Sequence, residues 1–180
     1  MIFSFFDPVL YKNKPTTDIY RNYKQYFDNA ARGMILRDYT IKGNPRPEEL
    51  AYLLYGNSNL YWILLMANNI YDPYHGWIKS QNACYTSAEQ IHDGENKVLY
   101  HIDRDYNKYY NLTEYPVNSN LWYDLGDKKH KYLQFEGPLR EIDIYEDSIL
   151  ENEKKRHIKI LDKRDLSNFL TKFIREMETA

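Results

Sequence analysis

Apolar side chains recur at helical spacing in two long stretches of the chain. The clearer stretch is C-terminal, where the apolar positions fall three and four residues apart: Leu166, Phe169, Leu170, Phe173, Ile174 and Met177. This continuous stripe predicts an amphipathic helix that docks on another surface. An N-terminal helix is predicted to begin at Thr17 or Asp18 and to end at Gly33. Its stripe consists of Ile19, Tyr23, Tyr26, Phe27 and Ala30.

A strand, two helices and a returning strand are predicted from YTIKG to GWIKS. YTIKG alternates as a short strand, and the helix PEELAYLLYG places Leu50, Leu53 and Leu54 on one face. The second helix contains eight consecutive apolar or aromatic residues, 60–67. A helix that is apolar all round must be surrounded by protein. GWIKS, residues 76–80, is predicted as the returning strand.

The rest of the chain is predicted to be β-rich and then to end as helix, strand and helix. KVLYHID and KYYNLTEY flank the polar tip RDYN and indicate a β-hairpin. Ile142, Tyr145 and Ile149 share one helical face, and RHIKIL alternates as a strand. We therefore predict an α+β fold in four segments: an N-terminal arm and helix (1–38), a βααβ module (39–82), a β-rich region (83–137) and a C-terminal helix–strand–helix (138–180).

Composition and charge narrow the classes of partner. The 180 residues carry 24 basic and 26 acidic side chains without a long block of one sign, which argues against nucleic acid or an anionic membrane as partner. The N-terminal MIFSFFDPVLY lacks the basic region of a signal peptide, and no apolar run reaches the roughly 20 residues that cross a bilayer. The one cysteine, Cys84, excludes an internal disulfide framework and is expected to be a small buried or half-buried hydrophobe.

No sequence pattern indicates a catalytic, cofactor or metal site, and we predict a chain that is not an enzyme and uses no cofactor. Asp103, Asp105, Asn107 and Glu114 imitate the spacing of a calcium loop, but Lys108 stands where that loop needs glycine. A solvated hairpin tip is the preferred interpretation. The five histidines lack zinc-site spacing. Pairs of acidic residues are interpreted as helix-start charge and solvated surface, with glycoside hydrolysis as the catalytic alternative.

Aromatic residues make up 16% of the chain, with 19 tyrosines and three tryptophans, although its mean hydropathy is −0.76. Such side chains are enriched where proteins meet. Residues 61–66 are predicted as the hub of the helix pair, with outward aromatics that meet partner helices: Tyr52, Tyr55, Tyr71, Tyr74 and Trp77. The alternative is that these side chains close the chain's own core. The predicted partner-binding residues are Phe5, Phe6, Tyr52, Tyr55, Tyr61, Trp62, Tyr71, Tyr74, Trp77, Phe169 and Phe173.

Several stretches resemble known families. YTIKG followed by LAYLLYGN is similar to the start of a LysM module, a βααβ unit, although the entry loop NPRPEE is longer than usual. Together with FFDP, TDIYRNYK and LENEKKRHIKIL, the stretch YTIKGNPRPEELAYLLYGNSNLYWILLMANNIYDPYHGWI resembles the LysM-containing baseplate wedge protein of T-even-type contractile-tailed phages, the gene product fifty-three family. The resemblance runs over nearly the whole chain in the same order.

This resemblance implies a structural protein of the virion tail baseplate, assembled in the host cytoplasm. Members of that family clamp wedge subunits and neighbouring wedges together and precede attachment of the sheath-initiating subunit. The implied partners are therefore other wedge subunits, neighbouring wedges and the sheath initiator, without nucleic acid, membrane or small-molecule substrate. The alternatives are a peptidoglycan-binding LysM module of a tail protein and a wall-degrading enzyme.

Overall fold

The computed structural model describes residues 8–17, 22–93 and 97–178, which form two compact units. Unit 2 contains the described residues of 79–154, and unit 1 contains the rest. The sequence of unit 2 is therefore inserted into that of unit 1. This grouping is coarser than the four predicted segments and leaves that finer division a prediction.

Helices and small antiparallel sheets occur together, so the predicted α+β class is confirmed. The described helices are α1 (Tyr23–Ala31), α2 (Pro47–Tyr55), α3 (Tyr61–Ala67), α4 (Pro73–Gly76), α5 (Gln81–Ile91), α6 (Ile144–Lys154) and α7 (Leu166–Glu178). The described strands are β1 (Pro8–Tyr11), β2 (Lys14–Thr17), β3 (Leu36–Thr40), β4 (Val98–Ile102), β5 (Lys108–Tyr109), β6 (Leu112–Glu114), β7 (Leu121–Asp124), β8 (Leu133–Glu136), β9 (Arg140–Asp143) and β10 (His157–Leu161). None of the helices in these ranges is long and apolar enough to cross a bilayer.

The central sheet of unit 1 joins two strands that lie far apart in the sequence. β3 pairs antiparallel with β10, so that Leu36 lies opposite Leu161 and Thr40 lies opposite His157. The strand predicted from RHIKIL is thus confirmed. The prediction of a returning strand at residues 76–80 is wrong, because β10 is the strand that pairs with β3.

The segment after α3 forms a capped turn where a strand was expected. Asp72 Oδ1 accepts the backbone N–H of Tyr74 at 2.8 Å and of His75 at 3.4 Å, which starts α4. Trp77 and Ile78 are consecutive, yet both are buried, with 3% and 4% of their surface exposed. A half-buried strand alternates between buried and exposed side chains, so this pair does not have strand character.

α3 lies between two hydrophobic clusters of unit 1, which explains its continuous apolar sequence. Trp62, Ile63 and Met66 belong to a cluster that includes residues of α1 and α7. Leu64 and Leu65 belong to a second cluster, built with α2, β3 and β10. Both sides of α3 are therefore covered by the chain itself.

The C-terminal stripe is confirmed as the buried face of α7. Phe169, Phe173 and Met177 are buried in this helix. The Phe173 ring lies 5.0 Å from the Trp62 ring, and the Phe169 ring lies 5.0 Å from that of Phe27 in α1. The helix therefore docks within unit 1.

The N-terminal helix begins later than predicted, at Tyr23. Thr17 lies in β2, while Asp18 and Ile19 lie outside the described residues. Asn22 precedes the helix without a side-chain cap hydrogen bond. The segment before it contains the β1–β2 hairpin, which the sequence analysis did not predict.

Unit 2 contains two three-stranded antiparallel sheets, in the orders β5-β4-β9 and β6-β7-β8. The predicted hairpin is confirmed in β4 and β5, whereas β6 pairs with β7. The two sheets contact each other through aromatic rings. The ring centroids of Trp122 in β7 and His101 in β4 lie 4.6 Å apart, and those of Phe135 in β8 and Tyr109 in β5 lie 4.8 Å apart.

α5 occupies the start of the region that was expected to be β-rich. Ser80 Oγ accepts the N–H of Ala83 at 3.4 Å at the beginning of the helix. Cys84 and Ala88 are its buried residues, so the predicted burial of Cys84 is confirmed. The helix was missed because two small side chains four residues apart make only a weak apolar stripe.

The helix predicted to include Ile142 begins two residues later. Ile142 is fully buried in β9, and α6 starts at Ile144. Asp143 Oδ1 accepts the backbone N–H of Tyr145 at 3.0 Å and of Glu146 at 2.8 Å, which caps the first turn. This cap separates the strand from the helix.

Candidate protein-binding surface

The predicted partner-binding residues fall into distinct groups by exposure. Tyr52, Tyr71 and Tyr74 are exposed, and Tyr61 is half-buried. Phe5 and Phe6 lie outside the described residues. The other five are buried in unit 1: Tyr55, Trp62, Trp77, Phe169 and Phe173.

The expectation that Tyr55 and Trp77 point outwards is wrong. Each ring is buried, and each polar group is bonded within unit 1. The Tyr55 hydroxyl donates to the Leu161 carbonyl at 3.2 Å, and Trp77 Nε1 donates to the Pro45 carbonyl at 2.8 Å. Burial raises the pKa of Tyr55 to about 12. These two side chains therefore stabilise the fold.

α2 presents one buried and one exposed face. Leu50, Ala51 and Tyr55 are buried. Tyr52 and Leu53 are 67% and 73% exposed, although the sequence analysis placed Leu53 beside Leu50 on the apolar face. Two adjacent large side chains are thus held on a helix whose opposite side belongs to the core.

Both ends of α2 are fixed by local structure. At the start, the Arg46 N–H donates to Glu49 Oε2 at 2.8 Å, and Pro47 occupies the first turn. At the end, Gly56 adopts the left-handed conformation, with φ of 77°. The exposed face of α2 is therefore ordered before any partner arrives, which reduces the entropy cost of binding.

Tyr71 is exposed in the segment that joins α3 to α4, and Tyr74 is exposed in α4 itself. They are 71% and 70% exposed. Asp72 fixes this segment by capping α4, and Lys155 Nζ donates to the His75 carbonyl at 2.7 Å. The two tyrosines therefore extend from a segment that hydrogen bonds hold in place.

The β1–β2 hairpin adds exposed apolar side chains that the sequence analysis missed: Val9, Leu10 and Tyr11. Lys12 and Asn13 form its two-residue loop with φ of 48° and 59°. Positive φ at both positions is typical of the tight turns that join hairpin strands. The apolar run VLY before a short polar loop was the available signal. A two-stranded hairpin alone is only marginally stable in water, so a partner surface would stabilise this one.

An open cavity of about 430 Å³ lies beside β3 and β10 in unit 1. Its lining consists of Asp38, Tyr39, Thr40, Ala67, Asn68, Asn69, His157, Ile158 and Lys159. Asn68 holds this region together. Its Nδ2 donates to the carbonyls of Leu64 and Lys159 at 2.7 and 2.8 Å, and its Oδ1 accepts the Lys159 N–H at 2.6 Å.

Comparison with known proteins identifies the family. The family described as Base plate wedge protein 53 matches residues 1–176. The chain belongs to this family. It is 51% identical over 191 residues to the baseplate wedge protein gp53 of Enterobacteria phage T4, an alignment that covers 100% of this chain and 97% of the relative. This wedge family member is thus a structural component of a phage tail baseplate.

The acidic hairpin tip of the wedge family member binds its own chain. The Asp103 carboxylate accepts the N–H groups of Asp105 and Asn107 at 2.9 Å, the Asn107 side chain at 2.8 Å and the Tyr109 hydroxyl at 3.1 Å. These hydrogen bonds lower the pKa of Asp103, and the bond from the Asn107 side chain has the largest effect. In the described part of the chain, no three His, Cys, Asp or Glu side chains are placed to hold a metal ion.

His101 is buried between the two sheets of unit 2. Its ring packs on Trp122, and its Nε2 lies 3.8 Å from Glu141 Oε1. Its Nδ1 has no hydrogen-bond partner among the residues that the structure describes. Burial lowers the pKa of His101, which favours the neutral imidazole. We interpret His101 as a packing residue.

Proposed function

We propose that this wedge family member clamps baseplate subunits together through exposed apolar side chains of unit 1, without catalytic chemistry. These anchor residues are Tyr52 and Leu53 on α2, Tyr71 and Tyr74, and the apolar residues of the β1–β2 hairpin. The observation that carries the proposal is the exposure of Tyr52 and Leu53 on a helix whose other face is fixed in the core.

The mechanism is burial of preordered apolar surface. Each large apolar side chain removed from water contributes about 1.5 to 3 kcal/mol. Association also costs several kcal/mol of translational and rotational freedom, so one anchor is not enough for a stable joint. Anchors on α2, on the α3–α4 segment and on the hairpin together offset that cost.

The proposed partners are other wedge subunits, the neighbouring wedges and the sheath-initiating subunit. Family membership supports a place among baseplate proteins. The order of events, in which this chain joins the wedge before the sheath initiator attaches, follows from the resemblance to the T-even wedge family and is part of the proposal.

The test replaces the two anchors on α2 together, as Tyr52→Ala/Leu53→Ala. Loss of two exposed anchors removes about 3 kcal/mol or more of the binding free energy that comes from burying apolar side chains. Incorporation into wedge complexes is therefore expected to fall more than about tenfold. Incorporation is measured by co-sedimentation with the other wedge proteins of the phage. The thermal midpoint of the free chain is expected to stay unchanged, because both side chains are exposed.

A matched control is Tyr106→Ala, since Tyr106 is a 79% exposed tyrosine of unit 2. It removes the same ring outside the anchor set and is expected to leave incorporation intact. Normal incorporation of the double variant, and of a Tyr71→Ala/Tyr74→Ala variant, would show that these anchors do not hold the joint.

The second candidate function is peptidoglycan binding. β3, α2, α3 and β10 follow the strand–helix–helix–strand order of a LysM module, with unit 2 inserted before the last strand. The cavity of about 430 Å³ beside this sheet offers polar groups of Asp38, Asn68 and His157 to a glycan. Among the described lining residues the acid is Asp38, whereas glycoside hydrolysis uses two carboxylates. This geometry favours binding over a wall-degrading enzyme.

A cell-wall pull-down separates the two functions. Under the clamp proposal, the purified chain stays in the supernatant when mixed with purified peptidoglycan. Saturable binding that Thr40→Trp abolishes by filling the cavity would favour the glycan-binding function instead.

A further inference from the structure

The loop between β7 and β8 concentrates positive charge in a unit that is otherwise acidic. Residues 79–154 contain nine basic and fifteen acidic side chains, and three of the nine basic ones lie within the sequence KKHK. They are Lys128, Lys129 and Lys131, which are all exposed.

These lysines differ in their surroundings from Lys108 and Arg140, two other bases of unit 2. Lys108 Nζ lies 3.9 Å from Asp147, and Arg140 lies 3.0 Å from Glu146, so that both pair with acids of α6. No ion pair joins Lys128, Lys129 or Lys131 to an acid within the described ranges. Their charge is therefore available to an external group.

The loop is held in a defined shape by one half-buried acid, Asp127. The Asp127 carboxylate accepts the backbone N–H of Lys129 at 3.3 Å, of Lys131 at 2.7 Å and of Tyr132 at 2.9 Å. These hydrogen bonds lower the pKa of Asp127, and the bond from the Tyr132 backbone has the largest effect. Asp127 thus bonds to the loop backbone and leaves the lysine side chains in solvent.

Aromatic side chains lie directly beside this charge. The His130 ring stacks on Tyr115 with centroids 3.9 Å apart and planes 7° apart, and its centroid lies 5.3 Å from that of Tyr123. Tyr115 and Tyr132 are 52% and 72% exposed. Thr113 and Leu133 lie opposite Tyr123 on the neighbouring strands and share its face of the sheet.

We propose that this basic and aromatic surface binds an acidic, aromatic-containing segment of another baseplate protein. Charge complementarity identifies the occupant, because three unpaired cations favour carboxylates and the tyrosine rings offer apolar area beside them. The excess of acidic over basic side chains in unit 2 disfavours a long polyanion such as nucleic acid. The inference rests on the proposed function only for the statement that the partner belongs to the baseplate.

The test measures binding of a fluorescent glutamate–tyrosine copolymer to the purified full chain, with polyglutamate and oligodeoxythymidine as comparison probes. The variant Lys128→Glu/Lys129→Glu/Lys131→Glu is expected to weaken copolymer binding at least about tenfold, and rising salt is expected to weaken wild-type binding. The matched control is Lys42→Glu/Lys163→Glu/Lys172→Glu, which changes the net charge equally at exposed lysines of unit 1. It is expected to weaken binding less than about twofold.

A fourth variant, Tyr132→Ser, separates the aromatic contribution from the charge. It is expected to weaken binding of the copolymer but not of polyglutamate. Equal losses in the two triple variants, tighter binding of oligodeoxythymidine, or self-association that depends on the three lysines would overturn the inference. Because the assay uses the purified chain, its failure leaves wedge incorporation through the anchor residues unaffected.

Discussion

Asn68 and Tyr55 close the outer edge of β10 with side chains. Asn68 donates to and accepts from Lys159, as the peptide group of a third strand would, and the Tyr55 hydroxyl donates to Leu161. Lys159 and Leu161 are two residues apart on β10, so their backbone groups point to the same edge of the strand. An open edge invites pairing with another chain, so these two side chains protect that edge of the sheet.

We predict that Asn68→Ala destabilises unit 1 by about 1 to 2 kcal/mol, because it removes the side-chain hydrogen bonds to Leu64 and Lys159, which water replaces only in part. Urea unfolding followed by tryptophan fluorescence measures the change. The control is Asn69→Gly, since Asn69 is exposed with φ of 55° and glycine tolerates that conformation. Equal stability of the two variants would contradict the assigned role.

We predict that Tyr55 makes the fold sensitive to alkali. Its pKa is raised to about 12 in the folded chain, against about 10 when unfolded. Between these values the folded state keeps a proton that the unfolded state has lost, so stability is full below pH 10 and falls as pH rises towards 12. The loss approaches about 3 kcal/mol. Tyr55→Phe is expected to lack this component when unfolding free energies are compared at pH 9 and pH 11.5.

The two residues differ in how much of their role was available from sequence. Tyr55 follows Leu50 and Ala51 round one side of α2, so helical spacing could have placed it inward and Tyr52 outward. Asn68 bonds to a strand 91 residues later. No local pattern records such a distant partner.

At the scale of elements, α7 supplies Phe169, Phe173 and Met177 to the core of unit 1. We predict that Phe173→Ala costs about 3 to 5 kcal/mol, because it opens a cavity beside Trp62. Ile174→Ala, on a half-buried neighbour, is expected to cost clearly less. Denaturant unfolding of the free chain measures both. If Phe173→Ala left stability intact but prevented wedge incorporation, the original prediction of partner contact by Phe173 would be right.

The elements that sequence reasoning found are those with strong periodicity. α7 has six apolar positions in register, and the apolar run in α3 required cover on every side, which the two clusters provide. α5 was missed because its buried stripe is only Cys84 and Ala88. The partner of β3 was misplaced because nearest-neighbour pairing is the default expectation, whereas here an insertion separates the two strands.

At the scale of the whole molecule, both hydrophobic clusters of unit 1 draw on residues from before and after the insertion. We predict that replacing residues 79–154 with a flexible linker of about eight residues leaves unit 1 folded. Cooperative thermal unfolding with retained near-ultraviolet circular dichroism is the expected observation. Broad, non-cooperative unfolding would show that unit 1 depends on unit 2.

The control for that deletion replaces residues 157–178 with the same linker. It removes β10 and α7, and with them Phe169, Phe173 and Leu161 of the cores. We expect this variant to lack cooperative unfolding.

Function and binding surface were predictable to different degrees. The family could be identified from stretches that resemble it in order along the chain. The surface could not, because an aromatic residue looks the same in sequence whether it faces solvent, as Tyr52 does, or the core, as Trp77 does. The sequence also does not show that the loop with the three lysines lies beside Tyr115. The stacking of the His130 ring on the Tyr115 ring shows it.

The long separation of β3 from β10 also governs synthesis of the chain. A ribosome must polymerise more than a hundred residues after β3 before its partner strand emerges, so the apolar helix α3 stays only partly covered in the nascent polypeptide. Products that terminate early never acquire α7 and remain targets for chaperones and proteases. Only chains translated through α7 can complete the hydrophobic cluster that contains Phe169, Phe173 and Met177.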